Sequence, residues 1–142
     1  MKYTLIALIS ILFISCSKDK ETDYTAKNEQ EIVDYIAKND LTAQKSSSGL
    51  YYVIKEVGTG KQPTATSNVT VAYKGYFTNG TVFDQSKDSG ISFGLQQVIK
   101  GWTEGIPFFK EGGSGILLIP AHLGYGSNDR GPIPGGSVLI LR

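Results

Sequence analysis

Phe83, Asp84, Phe93, Val98, Ile99 and Trp102 fall within one short stretch, and their types suit a chemical task better than those of any other stretch. Three aromatic rings and two β-branched side chains gathered near the carboxylate of Asp84 suggest a pocket floor with one polar wall. A mostly apolar pocket with few polar groups suits a substrate whose chemistry needs dehydration more than acid or base. Further on, Leu123-Gly124-Tyr125-Gly126 adds an aromatic hydroxyl between glycines. His122 is the only histidine. With no Cys partner and no Ser-His-Asp constellation beside it, it reads as a loop residue.

Each of these residues also has a plainer reading. Taken alone, Phe83 and Phe93 read more readily as interior packing, and a lone Trp as core. Asp84 after a strand is often a turn residue, and Tyr125 could be an exposed loop aromatic.

The elements that must position them follow from periodicity. Leu50 to Val57 is rich in aromatic and β-branched residues and stops at Gly58 and Gly60, as a strand does. Val69 to Phe77 alternates, with Val69, Val71 and Tyr73 on one face. Asn79-Gly80 then marks a hairpin, and Val82-Phe83-Asp84 is the returning strand. Ser114 to Pro120 and Ser137 to Leu141 supply further strands. Val98, Ile99, Trp102 and Ile106 recur at helical spacing, while Gly101, Gly105 and Pro107 limit that helix to two or three turns. One helix among about five antiparallel strands is an α+β arrangement, a curled antiparallel β-sheet packed on one short α-helix.

Upstream, Ile32, Val33, Ile36 and Leu41 predict a short extra amphipathic helix over 29–41 that packs beside the domain or spaces it from a membrane. Residues 16–28 read as a polar tether, 29–48 as helix and linker, and 49–142 as the main domain. Lys2 and the apolar run Leu5 to Ile14 read as a secretory signal over residues 1–15. The run is shorter than the ~20 residues that span a bilayer. Cys16, the only cysteine, allows no disulfide within the chain. A net charge of +1 on 142 residues gives no electrostatic reason to expect nucleic acid.

Two resemblances sharpen the reading. Ser15-Cys16 after the apolar run resembles the lipobox of bacterial lipoproteins. That resemblance implies cleavage before Cys16, acylation of that residue and a membrane partner reached through the lipid anchor. The expected site is the bacterial cell envelope, on the outer membrane facing the periplasm. Val71-Ala72-Tyr73-Lys74-Gly75, Gly80 to Ser86, Val98 to Gly105 and Ile119 to Gly126 occur in an order and spacing similar to the FKBP-type peptidyl-prolyl cis–trans isomerases.

This second resemblance implies an enzyme that rotates X-Pro bonds in exported proteins, with no covalent step and no cofactor. Its partners would be proline-containing polypeptides, with the family's macrolide ligands as a further class. A lipid-anchored peptide-binding module or chaperone with little catalysis is the alternative. Carried over residue by residue, Trp102 is the floor under a prolyl ring, and Tyr73, Phe83, Phe93, Val98 and Ile99 are walls. Ile133 is a flap residue, Tyr125 donates its hydroxyl to a substrate carbonyl, and the Ile99 N–H holds another. Asp84 stands beside the twisting bond.

The sequence departs from the family at Leu141, which would make a shallower, softer wall where an aromatic is usual, and in Ser127 to Pro132, which lacks a common histidine. Gly135-Gly136 follow Pro134 where a second proline is frequent. The final strand is also expected to be cut short at Arg142. Each missing buried side chain would cost roughly 1.5–3 kcal/mol.

Overall fold

The computed structural model describes residues 23–142. The expected signal segment and Cys16 lie outside the described residues. In chain order the elements are α1 (Thr25–Lys38), β1 (Gln44–Lys45), β2 (Tyr51–Glu56), β3 (Asn68–Val71), β4 (Lys74–Tyr76) and β5 (Val82–Gln85). β6 (Ile91–Gly94), α2 (Lys100–Gly105), β7 (Ser114–Ile119) and β8 (Leu139–Leu141) follow. Short 3-10 turns occupy Leu95–Gln97, Ile106–Phe108 and Ala121–Leu123.

Six strands form one antiparallel sheet in the order β1-β2-β7-β8-β4-β5, and β3 pairs with β6 in a separate ribbon. The single strand expected over 69–77 is therefore two. The chain breaks at Ala72-Tyr73 because Tyr73 exchanges bonds with Ser86 instead of continuing a ladder: its N–H donates to Ser86 Oγ and its carbonyl accepts from the Ser86 N–H, both at 2.9 Å. β3 and β4 thus serve different sheets from one apolar run.

β7 and β8 are covered on both faces, which explains why they read as continuous apolar runs instead of alternating ones. Leu117, Ile119, Leu139 and Leu141 point into one core cluster with Trp102 of α2. Ile116, Leu118 and Ile140 point into a second cluster with Ile32 of α1. The extra helix is therefore the cover of the second sheet face. It starts at Thr25, four residues before the expected start, and Asn28 and Ile32 are its buried residues. The division expected at 48/49 is crossed by this packing and by β1 pairing with β2.

The helix expected over 98–109 is a short α2 followed by a 3-10 turn at Ile106–Phe108 that contains Pro107. α2 lies close against β7 at Gly101, where a Cβ would fall 2.7 Å from Ile119 Cγ2. That approach sets how deeply Trp102 sits. β8, with three residues, is hydrogen-bonded on both sides, Leu141 facing Leu117 of β7 and Gly75 of β4.

Candidate functional site

The side chains of the site come together from three strands, one helix and the break before β4. On β6, Ile91 and Phe93 are two residues apart and share a face; on β8, Leu139 and Leu141 do the same. Phe83 and Asp84 come from β5, Tyr73 from the break before β4, and Trp102 from α2. All of them line one cavity of about 500 Å³, joined by Val98, Ile99 and Tyr125. Its volume is that of a small-molecule or side-chain site.

Trp102 is only 9% exposed, yet one surface of it faces the cavity. The indole is held by two rings. Phe93 stacks on it at 5.0 Å with an interplanar angle of 21°, and Tyr73 meets it edge-on at 4.9 Å and 82°. Such offset and edge arrangements contribute ~0.5–1.5 kcal/mol per pair beyond burial. Phe83 stacks on Phe77 at 5.0 Å, and both pack against the core cluster. Trp102, Phe83 and Phe93 are thus core packing and pocket lining at once.

The polar groups are few. The Tyr73 hydroxyl donates to Asp84 Oδ2 at 2.5 Å. Burial first, and then the Asp84 carboxylate, push the Tyr73 hydroxyl up to about 12, so it stays protonated and donating. The second Asp84 oxygen, Oδ1, accepts from the Gln85 N–H at 2.9 Å. The carboxylate is pinned at both ends. Tyr125 is 37% exposed at the rim, with the Arg130 guanidinium 5.6 Å from its ring centroid. Among the described residues the Ile99 N–H makes no hydrogen bond, while the Ile99 carbonyl accepts from the N–H groups of Trp102 and Thr103. An amide at the start of α2 beside the indole can therefore take a carbonyl.

Ile133 stands apart from the other expected site residues. It is 7% exposed and packs in the core cluster with Trp102, Leu139 and Leu141, outside the residues that line the cavity. Its paired backbone bonds with Arg130, 2.8 and 3.0 Å, instead hold Arg130 at the rim. Leu141 lines the cavity. His122 lies away from the cavity, its Nε2 2.9 Å from the Ser48 carbonyl. Sequence reasoning missed Ile91, Gln97, Arg130 and Leu139 as lining residues. Two of them had a legible signal, because Ile91 precedes Phe93 and Leu139 precedes Leu141 by one strand period. Among the described residues, no three His, Cys, Asp or Glu side chains come together as a metal site.

An antiparallel sheet packed on a short helix, with an indole-floored aromatic cavity beside it, defines an α+β domain. The family model described as FKBP-type peptidyl-prolyl cis-trans isomerase matches residues 59–142. The chain belongs to that family. It is 48% identical over 100 residues to an FKBP-type peptidyl-prolyl cis-trans isomerase FkpA from Buchnera aphidicola, covering 68% of this chain and 40% of the relative. It is 38% identical over 129 residues to FkpA from Aeromonas hydrophila, covering 88% and 48%. The chain thus spans less than half the length of these two relatives. The crystal structure of FkpA from Escherichia coli superposes with a TM-score of 0.73 at 38% identity, over 82% of this chain and 57% of that one. A peptidyl-prolyl cis-trans isomerase from Pseudomonas syringae gives 0.70 at 27%, over 87% and 93%.

Proposed function

We propose that this protein catalyses cis–trans rotation of X-Pro bonds in proline-containing polypeptides. The observation that carries the reading is the Trp102 surface at the base of a cavity walled by Tyr73, Phe83 and Phe93. A prolyl ring fits such a slot at low entropic cost because its φ is already fixed. Uncatalysed rotation crosses ~18–20 kcal/mol and takes tens to hundreds of seconds. Reaching a typical enzyme turnover asks for about four orders of magnitude, roughly 5–6 kcal/mol.

The chain's own groups can contribute to that figure without covalent chemistry. The planar amide carries a charge separation that twisting removes, so a dry apolar cavity disfavours the planar form more than the twisted one. In this reading the Ile99 N–H and the Tyr125 hydroxyl, both at the cavity, hold the carbonyls on either side of the ring. Asp84, fixed by Tyr73 and the Gln85 N–H, presents a carboxylate at the cavity wall.

Macrolide ligands of the family are a further class proposed for the same cavity. The lipobox-like Ser15-Cys16 supports a lipid-anchored protein of the bacterial cell envelope, placed at the outer membrane and facing the periplasm, with exported proteins as clients. Among the described residues no helix is long and apolar enough to cross a membrane.

The test is a protease-coupled assay on short X-Pro peptides with the wild type, Asp84→Ala, Tyr125→Phe and Trp102→Leu. The wild type should exceed the uncatalysed rate, and each variant should lose turnover by tenfold or more. A folded wild type that runs at the blank rate while still binding the peptide would instead make the protein a peptide-binding module.

A further inference from the structure

Asn28 is the one buried polar side chain among the described residues, 1% exposed. It lies on α1, outside the residues that the family model matches. Its amide group is used on both sides. Nδ2 donates to the Gly136 carbonyl at 3.0 Å and to Glu31 Oε1 at 2.9 Å, and Oδ1 accepts from the Ala121 N–H at 2.9 Å.

Ala121 and Gly136 are the two ends of the segment that carries Tyr125 and Arg130. Two backbone bonds close its base: the Gly126 N–H donates to the Ala121 carbonyl and the Gly136 N–H to the Gly126 carbonyl, both at 2.9 Å. The ring of Tyr24, one helical turn before Asn28, lies against Gly136, where a Cβ would fall 2.3 Å from Tyr24 Cε1. Ile133 anchors the middle of the segment in the core, whereas Asn128 to Pro132 are exposed. The placement of Tyr125, itself partly exposed, therefore depends on how the ends are held.

We propose that Asn28 is a positioning residue for Tyr125, through which helix α1 sets the shape of the pocket rim. The amide serves both backbone groups because one end donates while the other accepts, which an ionised carboxylate of the same shape does not do. An alanine leaves the Ala121 N–H and the Gly136 carbonyl buried and unpaired, so the segment gains by moving toward water. An aspartate keeps the bond from Ala121 and turns a carboxylate oxygen toward the Gly136 carbonyl, which loosens one end alone.

The kinetic part of the test rests on the isomerase reading; the exchange part does not. In the full chain, Asn28→Ala and Asn28→Asp are compared with Gln30→Ala, an exposed α1 position whose side chain bonds only to Asp34. Amide hydrogen exchange is followed at Gly126 and Gly136 and at β2 and β7, with kcat/KM on an X-Pro tetrapeptide. Asn28→Ala should raise exchange at both glycines about tenfold more than in the sheet and lower kcat/KM about tenfold. Asn28→Asp should raise exchange at Gly136 and spare Gly126.

Three results would overturn the proposal: exchange that rises equally in sheet and segment, the same local pattern in Gln30→Ala, or loosened glycines with wild-type kcat/KM. If the wild type fails to turn over the peptide, the isomerase reading falls while the exchange pattern still decides the role of Asn28.

Discussion

The Tyr73 hydroxyl and the Asp84 carboxylate meet at 2.5 Å on the wall of the Trp102 cavity. This one bond ties the break before β4 to β5, and it fixes the ring that meets the indole edge-on. It also adds to burial in setting how the wall titrates. Because burial and the neighbouring carboxylate both oppose the phenolate, Tyr73 ionises only near 12. Its raised pKa contributes stability that is fully present below about 10, the ordinary tyrosine value, and is lost as pH rises through about 12.

Replacing Asp84 by Asn should lower the Tyr73 pKa. The amide oxygen still accepts the hydroxyl but no longer repels the phenolate, while burial remains. The result should lie between about 10 and the wild-type 12. Tyrosine ring NMR across an alkaline titration, assigned with Tyr73→Phe, measures it. An Asp84→Asn protein whose Tyr73 titrates like the wild type would mean that burial alone sets the value.

Gly75→Ala should damage stability and site together. A Cβ at Gly75 would fall 2.6 Å from Phe83 Cζ and 2.8 Å from Leu141 Cδ2, two residues that line the cavity. Overpacking of this kind costs ~1–3 kcal/mol, a shift of several degrees in the thermal midpoint. Calorimetry paired with peptide turnover should show both falling. Wild-type activity in a destabilised Gly75→Ala protein would argue that the Phe83–Leu141 wall is not used.

Helix α1 should loosen in acid. Glu29 accepts the Tyr51 hydroxyl, which is the main cause of its lowered pKa, and it pairs with Lys45 at 3.2 Å. A depressed carboxylate stabilises the fold above its unfolded value, ordinarily 4.5, and that contribution is lost as pH falls through the lower folded value. Urea midpoints at pH 7 and below pH 4 should therefore drop more for the wild type than for Glu29→Gln. Equal drops would mean that this contact does not hold the helix.

The parts of the site that were legible in the sequence are those where side-chain type and local period coincide. Asn79-Gly80 announced the hairpin, and the aromatic and β-branched residues from Phe83 to Trp102 announced an apolar pocket before any fold was known. The apolar runs Ile116–Ile119 and Val138–Leu141 read as strands. What could not be read from them is that two different cores, one under α2 and one under α1, use alternate residues of the same runs. The split of 69–77 between two sheets was equally hidden, since both halves have the same β-prone composition.

The sequence by itself determined the strand types, the hairpin, the order of the family's motif blocks and the aromatic character of the pocket, because each depends on residues a few positions apart. Tertiary structure alone decided that Ile133 turns into the core while Arg130 reaches the rim, and that α1 closes the second sheet face. It also decided that Asn28 meets a carbonyl 108 residues away. Those outcomes follow from which distant groups can be buried together with their hydrogen bonds made. Local periodicity carries no record of that choice.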